Sequence, residues 1–234
     1  MLIRSRQMFP MLACLLLGLA ALSLQAAEDG KAPAKKVEAK AIVAASILPA
    51  LPGLEAKVPL LTNKTTVLMH TGAGDLVIEV YPAAAPNAAK RFLELVNNGF
   101  FNNTPVSRVV PGFVAQFGIN WRGQYKAWEN NYFKDDPSLF ALERGTLAFA
   151  KAGADTNATQ VFINYAENNR LAARMYNFTA FGKVVSGMEV VDGFAEVGEP
   201  GMGLDQDRLW QDGEAYLKTL PQKPTMIISA VVTK

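Results

Sequence analysis

Residues 101–116 read Phe101-Asn102-Asn103-Thr104-Pro105-Val106-Ser107-Arg108-Val109-Val110-Pro111-Gly112-Phe113-Val114-Ala115-Gln116. Two short apolar runs, Val106–Val110 and Phe113–Phe117, flank Pro111-Gly112. That is a β-hairpin pattern: proline presets φ at the first turn position, and glycine tolerates the positive φ that can follow. A polar pair interrupts the apolar text. Arg108 lies about three residues before the turn and Gln116 about four after its middle, so antiparallel pairing makes them near cross-strand neighbours with Phe113 between them. Taken alone, the pair also reads as an arginine on a solvated strand face.

The text on either side has the same short-strand punctuation. Thr65–Thr71 and Asp75–Tyr81 are apolar-rich runs joined by Gly72-Ala73-Gly74, a second hairpin signal. After Pro82–Asn87, residues 88–96 place Phe92, Leu95 and Val96 on one helical face. Pro86 suits the first turn of that helix and Gly99 its end. Thr146–Ala150, Gln160–Ile163, Thr179–Val184 and Met226–Val232 read as further strands, and Met188–Phe194 as a short helix after Gly187. Many short strands with two helices predict a mainly β chain, a closed antiparallel barrel rather than a parallel sheet.

The chain of 234 residues is 50% hydrophobic and 19% charged, which fits a globular core. Its N-terminus is different in kind. Arg4 and Arg6 precede an apolar run from Met11 to Leu24, followed by Leu24-Gln25-Ala26-Ala27. This is the pattern of a secretory signal over residues 1–26, too short to span a bilayer comfortably. The expected product is exported, to a periplasm, with no membrane span after cleavage. Removing residues 1–26 takes away two arginines and no acid, so the formal charge falls from +2 to zero. A neutral chain is a poor match for phosphate backbones, which argues against nucleic acid as a partner. Residues 27–59 are rich in Ala, Lys and Pro and read as a linker; within them 41–48 is apolar and fits either a docked helix or a strand. The folded domain is expected over 60–234, with an extension from about 197.

The only cysteine, Cys14, lies in the apolar run, either as a lipoprotein cysteine or as an ordinary residue of the signal. On the second reading the mature chain has no cysteine, and thiol chemistry is excluded. The only histidine, His70, sits in a predicted strand, where a structural or solvent-facing role is the better reading. One histidine and no free thiol leave no metal cluster and no cysteine–histidine dyad. Gly72-x-Gly74 lacks the rest of a dinucleotide fingerprint. No cofactor is expected.

The run 101–116 resembles the central signature of the cyclophilin-type peptidyl-prolyl isomerases. Two further blocks resemble the same family in order and spacing: residues 144–164, with Phe149-Ala150-Lys151 and Gln160-Val161-Phe162-Ile163-Asn164, and Phe181–Met188. The resemblance implies a closed eight-stranded antiparallel β-barrel capped by two helices, with a substrate groove on its outer surface. It implies catalysis of rotation about X–Pro bonds in proline-containing polypeptides, by a monomer. Position by position, Arg108 matches the catalytic arginine. Phe113, Phe162 and Leu171 match walls of the proline pocket, with Val114 and Phe178 also substrate-binding. Gln116 matches the glutamine that holds a substrate carbonyl, Ala150 and Lys151 the backbone segment that pairs with the peptide, and Gln160 a groove-lining glutamine.

Several positions depart from that pattern. Phe178 stands where histidine or tyrosine is usual, Arg170 where many members have tryptophan or phenylalanine, and Phe117 in place of a glycine. The loop Asn120–Pro137 is not glycine-rich. These departures bear on substrate preference, and they keep open a second class of function, a proline-peptide-binding module or chaperone without turnover.

Overall fold

A computed structural model describes residues 63–173 and 175–233. The expected signal at 1–26 and linker at 27–59, including 41–48, lie outside the described residues. The first hairpin forms as expected, from β1 (Thr65–Thr71) and β2 (Gly74–Val80). Their period of two buries Val67 and Met69 from β1, and Leu76, Ile78 and Val80 from β2. His70, on the alternate face of β1, bonds through Nδ1 to Asp75 Oδ1 at 2.7 Å at an exposed position.

Helix α1 (Pro86–Asn97) begins with its proline in the first turn and buries Ala88, Ala89, Phe92, Leu95 and Val96. Ala85 offers no side-chain cap. The Asp136 carboxylate does so instead, accepting the N–H of Asn87 at 3.2 Å and of Ala88 at 2.8 Å. The chain leaves the helix through Gly99, whose φ of +66° costs a glycine little.

The second hairpin comprises β3 (Thr104–Val110) and β4 (Val114–Phe117). β4 starts one residue later than expected, because Phe113 N–H bonds back to the Val110 carbonyl at 2.9 Å and closes the turn. Three more strands follow: β5 (Thr146–Phe149), β6 (Val161–Asn164) and β7 (Ala180–Ser186). Helix α2 (Met188–Asp192) comes next, after Gly187. The stretch expected as an extension from about 197 carries two further helices, α3 (Gln206–Asp212) and α4 (Glu214–Thr219). Asp205 caps α3 by accepting the Arg208 N–H at 3.0 Å, and Leu209, Trp210, Tyr216 and Leu217 are buried in the core. The chain then returns as β8 (Met226–Thr233).

The strands close in the order β1-β2-β7-β5-β6-β4-β3-β8, each pairing antiparallel. The eight-stranded antiparallel barrel expected from the sequence is therefore present, with α1 and α2 as the two anticipated helices. Tilted and edge-on rings fill the interior. Phe92 stands 5.5 Å from Phe101 and 5.1 Å from Phe181, and Phe101 is 5.4 Å from Phe117. No described helix is long and apolar enough to cross a membrane.

Candidate active site

Hairpin register brings Arg108 opposite Gln116, and a bulge between Val106 and Arg108 leaves Ser107 as the extra residue. Such a bulge re-aims the side chains beside it. Arg108 Nη1 donates to Gln116 Oε1 at 3.4 Å, and the guanidinium carbon lies 5.8 Å from the centroid of the Phe113 ring. The pair that admitted a solvated-face reading thus stands at the rim of an aromatic surface.

That surface is a second apolar cluster, separate from the barrel interior. Val114, Phe162 and Leu171 are buried in it, and Phe113, Ala150 and Phe178 pack against it half-exposed. All six apolar positions expected to contact substrate therefore converge on one patch. Phe162, opposite Gln116 in the β4–β6 pairing, meets Phe178 edge-on at 5.6 Å. Leu171 arrives on a 3₁₀ turn, Asn169–Ala172. The Phe113 turn is held from below, its carbonyl accepting from the Tyr165 N–H at 2.9 Å and Asn168 Nδ2 at 3.0 Å.

The polar positions converge beside it. Gln116, 8% exposed, donates through Nε2 to Gln160 Oε1 at 2.7 Å. Ala150 is tied to the same residue by a backbone bond from its N–H to the Gln160 carbonyl, 2.8 Å. The Lys151 side chain is only 4% exposed and is no loose cation. Its Nζ pairs with Asp135 at 2.5 Å, donates to the Asn177 carbonyl at 3.1 Å, and lies 5.5 Å from the Phe178 ring centroid. Burial pushes the Asp135 carboxyl up. Hydrogen bonds from Lys151 and Asn157, with the Lys151 charge, outweigh that and leave it below the ordinary carboxylate range.

Sequence reasoning did not find four participants. Asp135 anchors Lys151, Asn168 anchors Phe113, the Gly201 carbonyl accepts from Arg108, and Gln206 accepts from Gln160. No motif flags them, since each acts on a partner at least 16 residues away in sequence. Phe117 is the converse case: although next to Gln116, it is 1% exposed and packs with Phe101 in the interior. Its replacement of a glycine is a core matter, outside the apolar patch.

Comparison with known proteins bears directly on this arrangement. The family model of the cyclophilin type peptidyl-prolyl cis-trans isomerases matches residues 66–212, more than half of the chain. This chain belongs to that family. The cyclophilin is 35% identical over 178 residues to peptidyl-prolyl cis-trans isomerase A of Dickeya dadantii, covering 74% of this chain and 87% of that protein. It is 36% identical over 172 residues to a peptidyl-prolyl cis-trans isomerase of Acinetobacter baylyi, covering 72% and 85%. A crystal structure of a Cryptosporidium parvum cyclophilin type isomerase superimposes with a TM-score of 0.54 at 23% identity, over 74% of this chain and 99% of that one, which shows the shared fold. This cyclophilin is accordingly a peptidyl-prolyl cis-trans isomerase, acting on proline-containing peptides.

Proposed function

We propose that Arg108 is the catalytic residue of this isomerase, and that the enzyme serves the folding of exported proteins. The observation that carries the first statement is the Arg108 guanidinium standing over the edge of the apolar patch, 5.8 Å from the Phe113 centroid and bonded to Gln116. The reaction breaks no bond. Amide conjugation sets a rotation barrier of roughly 18–20 kcal/mol, while the two X–Pro isomers differ by only about 0.5–1 kcal/mol. The enzyme must lower a barrier without moving an equilibrium.

Halfway through rotation the imide nitrogen is pyramidal and its lone pair is localised. A guanidinium directed at that nitrogen stabilises the twisted amide more than either planar form. Arginine stays charged and offers a rigid fork of donors. Phe113, Val114, Phe162, Leu171 and Phe178 hold the proline ring still while the carbonyl side turns. Gln116 bonds a substrate carbonyl, Gln160 lines the groove, and the Ala150–Lys151 backbone pairs with the peptide. The enzyme works as a monomer.

Export to the periplasm rests on the basic start at Arg4 and Arg6, the apolar run 11–24 and the small-residue junction at Ala26. Fractionation of cells making the full chain, with N-terminal sequencing of the product, tests it: a soluble cytosolic protein that keeps residue 1 contradicts export.

Catalysis is tested by a protease-coupled isomerisation assay. Arg108→Ala is expected to lower kcat/KM by about 10²- to 10³-fold, and Arg108→Lys, which keeps charge but loses the fork, to recover little of it. Proline-peptide binding by the wild type, with turnover no faster than Arg108→Ala, would instead favour a binding module.

A further inference from the structure

Residues 198–206 join the barrel to α3, and they touch the arginine. Arg108 Nε–H donates to the Gly201 carbonyl at 2.8 Å. A chain of side-chain bonds leads to the same segment. Arg108 Nη1 donates to Gln116 Oε1 at 3.4 Å, Gln116 Nε2 to Gln160 Oε1 at 2.7 Å, and Gln160 Nε2 to Gln206 Oε1 at 3.0 Å. A guanidinium donates and accepts nothing, so Gln116 must turn its oxygen toward it. Each amide nitrogen is then left to donate to the next oxygen. One cation thereby sets the direction of the whole chain, and each bond polarises the next.

The loop is pinned where it does this. Leu204 N–H donates to the Ser107 carbonyl at 2.8 Å, beside the bulge that carries Arg108. Gly203, at φ +82°, lies so close that an added Cβ would stand 2.5 Å from the Ser107 carbonyl oxygen and 2.7 Å from Arg108 Cβ. Only glycine fits both the backbone angle and the approach.

We propose that the 198–206 loop is a positioning element for catalysis. The Gly201 carbonyl and the Gln206 side chain hold the guanidinium so that it presents its Nη edge to the substrate imide. The inference rests on Arg108 being the catalytic residue. The interaction with a pyramidal nitrogen exists only in the transition state, whereas the apolar patch beside the arginine holds the proline ring in ground state and transition state alike. Loosening the arginine, with the Gln116 and Gln160 amides it orients, therefore lowers kcat by more than it raises KM.

The full chain is assayed as wild type, Arg108→Ala, Gln206→Leu, Gln206→Glu and Gly203→Ala, with kcat and KM determined separately. Solvent exchange of the Arg108 Nε–H is followed by ¹⁵N NMR. Gln206→Leu is expected to lower kcat about fivefold. Gln206→Glu still offers Gln160 an oxygen and restores the rate toward wild type. Gly203→Ala is expected to lower kcat about tenfold or more and to speed exchange of the Arg108 Nε–H. Should Gly203→Ala not fold, the Gln206 pair decides. Wild-type kcat in Gln206→Leu, or a change confined to KM, overturns the inference even when Arg108→Ala is inactive. Full activity in Arg108→Ala overturns both this inference and the catalytic assignment it rests on.

Discussion

Phe113 lies beneath two guanidiniums. Arg108 is 5.8 Å from its ring centroid and Arg170, on the 3₁₀ turn that delivers Leu171, is 5.6 Å away. Where many relatives of this family place a flat aromatic wall, this isomerase places a cation on the ring face. The edge of the patch is charged, and an indole donor is missing. Cyclosporin-type ligands are accordingly expected to bind weakly. Arg170→Trp should tighten that binding by about tenfold, measured by titration calorimetry; equal affinity for the two proteins would show that position 170 does not set the preference.

At the scale of elements, α1 and the long loop hold each other in place. α1 receives its cap from Asp136, on the far side of the Asn120–Pro137 loop. Arg91 of α1 answers by donating to the carbonyls of Asn131 at 2.6 Å and Ala158 at 3.0 Å, with its guanidinium over Trp128 and Phe133. Burial drives the Asp136 carboxyl above the ordinary carboxylate range, against the lowering effect of the two backbone donors. Asp136→Ala leaves those two N–H groups of α1 without an acceptor. It should destabilise the protein by about 1–2 kcal/mol, read as a lower urea midpoint at unchanged m-value. An unchanged midpoint would mean that water caps the helix equally well.

Across the whole molecule, the Asp135–Lys151 pair joins the long loop to the groove segment that follows β5. Asp135 has a depressed pKa in the folded state, so its stabilising contribution is fully present above the unfolded carboxylate value of about 3.9. It is lost as pH falls through the lower, folded value. Wild-type stability should therefore drop on acidification below about pH 4. Asp135→Asn should be less stable at neutral pH and show a shallower acid decline. Parallel pH profiles of the unfolding midpoint for the two proteins would contradict this. Asp136 contributes with the opposite sign, because its folded pKa is raised.

What local chemistry dictates was legible in the residues. Period-two burial defined β1 and β2, apolar spacing with Pro86 and Gly99 defined α1, and Pro111-Gly112 set the register that pairs Arg108 with Gln116. The family resemblance then picked out the positions that meet in one apolar patch. The sequence by itself therefore determined the strands, the turns and the arginine–glutamine pair, since these follow from φ preferences and side-chain periodicity over a few residues. Tertiary structure alone decided that Asp136 caps a helix 48 residues away, that Phe117 faces inward, and that Gly201 meets Arg108 across 93 residues. Such contacts depend on closing long loops around a buried core, and the free energy that closes them comes from the whole barrel rather than from any pattern along the chain.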